Sequence, residues 1–431
     1  MNVWMPFEIK VSQSKTAQEY RYGGNALWVF RRLAASLIGA SLLTAPLPAS
    51  AKNATIHPPP QSVDLPRGQE IGDITYQCDG KGPATCHLAD FMTRAKVCAL
   101  IVVKADAFTF EKYDEEKGFC RDDEAPPNGP TKLYGIASVT KSITSTLLGH
   151  VLSVKRGART RADFDAELSQ PVVQYIPELA NAIPSGYSRA TVDQVLRMQS
   201  GVWWSEYGWY GFFPGAVLFD KQVRTGMTES VIDFAHRFIL RSGPPRNLFN
   251  YSALDAAIAA AVADRMLGET RLTDFFEKGI WASIGAEQRA TWGVDNTGLA
   301  VGPCCFKATL RDLARFGLFV LNQGRDHSDR QIVPQAWFDL ATKPSSDPNN
   351  GIAADNKYQK TDCPLNYGYF WWLTKGTDFT AVGRDGQFIH IYPDSKTVIV
   401  QISDWKAWTN GDALECEAFR AHDALVSATA R

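Results

Sequence analysis

The chain has 431 residues, enough for one large domain or two lobes around a shared core, and 21% of them are charged with a formal net charge of -1. That balance carries no electrostatic footprint for nucleic acid or for an anionic membrane surface, so the expected partner is a small molecule. With 45% hydrophobic residues the composition is that of an ordinary globular protein, which excludes a disordered chain.

In chain order, the first predicted element is an export signal over residues 1–51. Arg31-Arg32 precede the apolar stretch Leu33 to Leu47 and the small-residue site Ala49-Ser50-Ala51, which predicts cleavage after Ala51 and a mature protein in the periplasm or the medium. Ser36, Gly39, Ser41, Thr44 and Pro46 interrupt the stretch, and it is too short to span a bilayer comfortably, so no membrane span is expected after cleavage. Residues 52–87 read as an extended arm, rich in proline and glycine between Asn53 and Pro83. From Cys98 to Tyr113 the chain alternates and is rich in β-branched and aromatic residues, which predicts two strands turning near Ala105-Asp106.

After Ser138, the apolar residues Ile143, Leu147, Leu148, Val151 and Leu152 recur at helical spacing and predict a largely buried helix. Further helices are predicted at Thr191 to Gln199, Thr228 to Leu240, Ser252 to Leu267, Thr273 to Ile284, Leu310 to Asn322 and Pro334 to Thr342. Strand character returns at Tyr367 to Leu373, Phe379 to Gly383, Phe388 to Tyr392 and Val398 to Ser403, before a closing helix from Asp412 to Ser427. The expected fold class is α/β (α+β), with an antiparallel sheet built from both ends of the chain and flanked by helices. Within a domain over 88–431, the sheet lobe would take 88–135 and about 300–431, and an inserted helical lobe about 136–299.

Eight cysteines in an exported chain favour disulfides over metal ligation. Cys78 and Cys86 are close, Cys98 and Cys120 bracket the predicted hairpin, and Cys304, Cys305, Cys363 and Cys416 remain, with the connectivity open. No C-x-x-C pair and no H-x-x-x-H spacing occurs, so no metal or other cofactor is expected.

The chemistry centres on Ala137-Ser138-Val139-Thr140-Lys141. Residues three apart on a helix share a face, which brings the Lys141 amine beside the Ser138 hydroxyl. A serine hydroxyl is a weak nucleophile until a base activates it, and a desolvated lysine has its pKa lowered toward that task. The same spacing occurs at Ser12 to Lys15, before the predicted cleavage site, and at Ser403 to Lys406, at a strand end where residues three apart face opposite ways. Only Ser138 opens a helix, and the competing reading there is an N-cap with Lys141 in solvent. Asn250-Tyr251-Ser252 at a loop-to-helix junction could bring a phenol into a cleft as a proton shuttle, or Tyr251 could simply be core. Gly383-Arg384-Asp385-Gly386-Gln387 reads either as a hairpin turn or as a close approach of backbone to ligand.

Taken together and in this order, the three motifs resemble those of the serine β-lactamase and penicillin-recognising superfamily, with its β-lactamase/transpeptidase-like fold. Met198-Gln199-Ser200-Gly201-Val202-Trp203-Trp204, the segment around Asp312 to Gly317 and Ile332-Val333-Pro334 are similar to class C β-lactamase-related hydrolases, within them to the esterase and 6-aminohexanoate-dimer hydrolase branch. The resemblance spans roughly Leu88 to Ala428. It implies that Ser138 is the acylated nucleophile, Lys141 its base and Tyr251 the proton relay, with the N-H groups of Ser138 and Gln387 as oxyanion hole. Arg384 and Gly386 would border the substrate. Two residues depart from the usual pattern: Ala253 stands where the second motif ends in asparagine, and Arg384 where the third has lysine. Both turn the expectation from β-lactams toward a carboxylic ester or a small amide. A β-lactamase or D-Ala-D-Ala carboxypeptidase and a non-catalytic penicillin-binding sensor are the alternatives. The aromatic run containing Trp204, Tyr207 and Trp209 reads as a wall for an apolar acyl or amide chain, although many of its rings fit a core equally well. Glu206 reads as a surface charge and His390 as structural. No G-x-S-x-G elbow occurs, which sets aside an α/β-hydrolase.

Overall fold

The structure, a computed structural model, describes residues 52–79, 85–114, 127–180, 186–206, 215–237, 243–245, 248–343, 352, 363–405 and 407–429, so the predicted export segment lies outside the described residues. Of the two compact units into which the chain divides, the described residues belong to the one running from Pro48 to Arg431.

The arm is tied down by pairing. β1 (Asn53–Ile56) joins an antiparallel ladder with β7 (Ala290–Gly293), and β2 (Thr75–Gln77) pairs with β3 (Thr85–His87), a ribbon closed by the Cys78–Cys86 disulfide. Beyond α1 (Leu88–Arg94) comes the hairpin expected from the alternation, β4 (Val97–Lys104) and β5 (Ala107–Tyr113), turning through Ala105 and Asp106 at φ of 45° and 67°. Among the described residues, β6 (Tyr134–Gly135) and β8 (Phe306–Ala308) complete a four-stranded sheet in the order β1-β7-β8-β6, which the sequence pattern does not announce. The larger sheet has seven strands in the order β5-β4-β13-β12-β11-β10-β9 among the described residues. Its C-terminal strands are β9 (Asn366–Tyr367), β10 (Trp372–Leu373), β11 (Phe379–Gly383), β12 (Gln387–Tyr392) and β13 (Thr397–Ser403), and the central pair β4 and β13 joins the two ends of the domain, as expected.

Period-two alternation sorts the faces of this sheet. The helices are α2 (Val139–Lys155), α3 (Arg161–Leu168), α4 (Val192–Leu196), α5 (Gly215–Phe219), α6 (Val231–His236), α7 (Ala253–Leu267), α8 (Leu272–Phe276), α9 (Leu310–Leu321), α10 (Gln335–Ala341) and α11 (Ala407–Ala428). Ile389, Ile391 and Val398 meet α9, where a Cβ on Gly317 would fall 2.5 Å from Val398, so the helix needs glycine to lie this close. Phe388 and His390 point the other way, onto Phe419 and His422 of α11.

Three predicted elements differ. Tyr367 to Leu373 is not one strand: the chain turns between β9 and β10, where Gly368 lies against the Ala341 carbonyl and Phe370 takes φ 60° while its carbonyl accepts a 2.6 Å bond from Ser142 of α2. The helix expected over Thr191 to Gln199 is confined to α4, because Met198 has φ 60° and turns the chain toward the site. The helix expected over Thr273 to Ile284 continues from α8 as a π-turn at Glu277–Trp281.

Candidate active site

α2 is buried along nearly its whole length, so its polar residues must find partners inside the protein. Three of them do so by docking neighbouring segments. Thr140 Oγ1 accepts from the Phe306 N-H, Thr144 donates to the Gly302 carbonyl at 2.9 Å, and Ser142 holds Phe370. The chain enters α2 through Ala137 at φ 46°, a conformation that L residues adopt at a cost, and Ser138 follows at the helix start. The Ser138 side chain makes no capping bond, which removes the N-cap reading.

Lys141 Nζ lies 2.8 Å from Ser138 Oγ, 3.3 Å from the Pro303 carbonyl and 4.7 Å from the centre of the Tyr251 ring. The side chain is only 2% exposed. Burial lowers its pKa to about 8, against the opposing charge of Glu206, so the amine deprotonates at moderately alkaline pH. Tyr251, directly before the start of α7, is buried, and its hydroxyl is hydrogen-bonded to Ser138. Burial and the Glu206 charge both raise the phenol's pKa, so it stays protonated.

Hydrogen bonds between the segment 198–206 and the start of α7 hold Tyr251 in place. The Asn250 N-H donates to the Met198 carbonyl at 2.8 Å, and the Asn250 side chain donates to the Trp204 carbonyl at 3.1 Å. Buried Asp255 accepts from Ser200 at 2.8 Å and from Tyr187 at 2.6 Å. Desolvation raises the Asp255 pKa to about 7 even so. On the other side, Tyr251 stacks on Trp372 with ring centres 5.5 Å apart, and Phe249 and Tyr367 pack around both.

The third motif forms the turn between β11 and β12. A Cβ on Gly383 would lie 2.5 Å from the Ile136 carbonyl, so the end of β11 abuts the entry to Ser138. The Gln387 side chain turns back onto β13, donating to the Ser403 carbonyl at 2.8 Å and accepting from the Ser403 N-H. Gly386 has φ 88°, and a Cβ there would collide with the Trp405 indole, so packing and backbone conformation already require glycine at this position. Arg384 is largely exposed and pairs with the adjacent Asp385 at 3.2 Å.

Trp204 is 3% exposed, beneath Phe234 and against Gly215, so it is core rather than an open wall. Tyr207 and Trp209 lie outside the described residues, whereas Trp203 is half exposed. His390 faces α11, within 3.2 Å of His422, as its structural reading requires. Glu206, read from the sequence as a surface charge, is instead partly buried beside the site. Its Oε2 accepts from the Trp204 indole at 2.5 Å and from the Ala253 N-H at 2.9 Å, and its charge acts on both Lys141 and Tyr251. Among the described residues, no group of three or more His, Cys, Asp or Glu is arranged to hold a metal ion.

Comparison with known proteins bears on the family and the fold. The profile of the family described as beta-lactamase matches residues 88–415. A 6-aminohexanoate-dimer hydrolase from Paenarthrobacter ureafaciens is 26% identical over 314 residues, covering 71% of this chain and 72% of the relative. Among solved structures, a Bacillus anthracis protein with the assigned name 6-aminohexanoate-dimer hydrolase superposes with TM-score 0.68 at 22% identity, covering 87% of this chain and 90% of the other. A class C β-lactamase variant superposes with TM-score 0.51 at 13% identity, covering 78% and 94%; these two likenesses concern the fold.

Proposed function

The chain belongs to the β-lactamase family and is a serine-type hydrolase by that membership, and from this premise we propose that it cleaves a carboxylic ester or small amide through an acyl-enzyme on Ser138. The observation that carries the reading is the buried Lys141 amine, 2.8 Å from Ser138 Oγ, with its pKa lowered to about 8. In the proposed reaction, neutral Lys141 takes the Ser138 proton as Oγ attacks the substrate carbonyl. The N-H groups of Ser138 and Gln387 hold the oxyanion. When the intermediate collapses, the proton passes from Lys141 through the Tyr251 hydroxyl to the leaving amine or alcohol. Water then attacks the ester at Ser138, and the same groups return the proton to Oγ.

Two features favour an ester or small amide over a β-lactam. Ala253 offers no side-chain amide beside the site, and Arg384 is engaged with Asp385 at the surface. The named activity of the Paenarthrobacter relative inclines the choice toward a linear amide. Disulfides and the predicted leader together support an exported protein.

Ser138→Ala abolishes labelling by a serine-directed phosphonate, and Tyr251→Phe slows turnover about a hundredfold or more while leaving the thermal midpoint within a few degrees. Short-chain nitrophenyl esters, a linear ω-amino acid dimer and a chromogenic cephalosporin, assayed in parallel, test the substrate class. Full labelling of Ser138→Ala, or rapid cephalosporin turnover with inert esters and amide, would overturn the reading.

A further inference from the structure

Among the buried or clustered functional groups of the described residues that lie apart from the proposed Ser138, Lys141 and Tyr251 chemistry are three that carry no structural ion pair of their own. They are the His390-His422 pair behind the sheet, the Cys304–Cys305 disulfide beside Pro303, and the carboxylate of Glu206. Only the third couples to two groups of the site at once.

Glu206 sits half-buried on the segment that clasps α7. A single oxygen, Oε2, accepts both of its hydrogen bonds, from the Trp204 indole and from the Ala253 N-H. Trp204 is itself wedged against Phe234 and Gly215, so the carboxylate rests on a packed support. Ala253 is the position at which a side-chain amide is missing from the second motif. The structure therefore places a negative charge, brought in from another segment and held by the main chain at this position, where the family pattern has a neutral amide.

We infer that Glu206 is a positioning residue that supplies the counter-charge for Lys141 and fixes the start of α7 that carries Tyr251. The inference rests on the reading of Ser138 and Lys141 given above. Its physical basis is the change of charge during acylation. Lys141 begins neutral and becomes an ammonium when it takes the serine proton, in a place almost without solvent. A buried ammonium without a partner is costly, and a fixed carboxylate nearby offsets that cost when the charge appears. Among the described residues, the groups around Lys141 other than the Ser138 hydroxyl come from three segments. Glu206 comes from the clasping segment, Tyr251 from the start of α7 and the uncharged Pro303 carbonyl from the segment before β8, while Glu415 of α11 acts on Tyr251. Arg384 and Asp385 on the neighbouring turn pair with each other. Desolvation lowers the Lys141 pKa and Glu206 raises it, with the balance at about 8.

Glu206→Gln isolates the charge, because the amide oxygen can still accept from both Trp204 and Ala253. The full chain is compared with this variant by two readouts. One is titration of the Lys141 13Cε resonance, assigned by its loss in Lys141→Arg. The other is the pH profile of kcat/KM on a nitrophenyl ester. In Glu206→Gln the Lys141 midpoint falls by about one pH unit or more. The rising limb of kcat/KM moves to lower pH with it, and the plateau drops about tenfold or more as the ammonium loses its counter-charge. The thermal midpoint stays within a few degrees. A Lys141 midpoint equal to that of the wild type overturns the inference, whether or not the plateau falls. The titration does not depend on turnover, so it decides the role of Glu206 even where no ester is hydrolysed. Labelling at Ser138 separately decides the hydrolase reading.

Discussion

Two groups beside Ser138 could accept its proton, and their surroundings separate them. Burial acts on both, but it favours the neutral form in each case: the free amine of Lys141 and the intact phenol of Tyr251. In the proposed reaction the amine is thus the base, and the phenol is a relay that both donates and accepts. The sign of the pH dependence follows. Activity that needs neutral Lys141 rises as pH increases through about 8 and is lost below it. Lys141→Arg keeps a cation that cannot deprotonate, so kcat/KM falls about a thousandfold with no recovery at alkaline pH, as a stopped-flow ester assay would show. Ser138 and Lys141 were legible in the sequence because both lie on one helical turn, where spacing alone fixes proximity. Glu206 and Trp204 were not. Whether a carboxylate is a surface charge or a counter-ion depends on meeting an N-H that lies 47 residues further on, and no local pattern records that contact.

At the scale of elements, the site depends on how closely α2, α7 and the segment from Gly302 to Phe306 approach one another. Gly302 lies against α7 so tightly that an added Cβ would fall 2.4 Å from the Ala256 carbonyl and 2.8 Å from the Ala260 Cβ. Pro303, the next residue, supplies the carbonyl that Lys141 contacts. Gly302→Ala should therefore destabilise the fold by about 1–3 kcal/mol and lower activity per folded molecule, since the backbone must shift at the base. Urea denaturation with phosphonate titration of competent sites measures both effects. Gly72→Ala, where a Cβ would meet nothing within 4 Å, serves as a control and stays within about 0.5 kcal/mol of the wild type. The alanine-rich pattern of α7 and the apolar, β-branched runs of β4, β12 and β13 were readable because each is buried along nearly its whole length. The break between β9 and β10 was hidden: Tyr367 to Leu373 is apolar throughout, so its turn is set by Ala341 and Ser142, residues remote in sequence.

For the molecule as a whole, buried titratable groups, among them the polar interior behind the sheet, set how stability depends on acid pH. His422 Nε2 lies 3.0 Å from the Gln401 Oε1 and so bears the hydrogen, which leaves its Nδ1 to accept from His390 Nδ1 at 3.2 Å. Tyr392, beside His390, donates to Asp423 at 3.1 Å. Both histidines are held neutral by burial; the pKa of His422 falls to about 3, that of His390 falls well below its ordinary value, and that of His150 on α2 falls to about 4. Each of these histidines stays neutral in the fold but takes a proton in the unfolded chain below about pH 6.5, so stability declines as pH falls through that window. The slope is about 1.4 kcal/mol per pH unit for each group. Asp255 and Asp378, raised to about 7 and about 6 by burial, act in the opposite sense. The difference between proteins isolates the term: from pH 6.5 down to pH 4, His422→Gln should lose about 1.4 kcal/mol per unit less than the wild type, read from urea midpoints.

The pairing of β4 with β13 has a consequence for how the chain comes together in time. The β4-β5 hairpin is local and can form as soon as it is made. The other edge of β4, with Leu100, Ile101, Val102 and Val103 along it, has no partner until β13, the last strand among the described residues, has been synthesised. Closing the sheet is a long-range event that follows assembly of the helical middle, and such closures are slow. Throughout that interval the chain presents an apolar strand with one row of unsatisfied main-chain groups, the kind of surface that recruits other chains. Loss of β13 would leave this exposure permanent, so a chain cut before Thr397 should accumulate as aggregate rather than as a weakened enzyme.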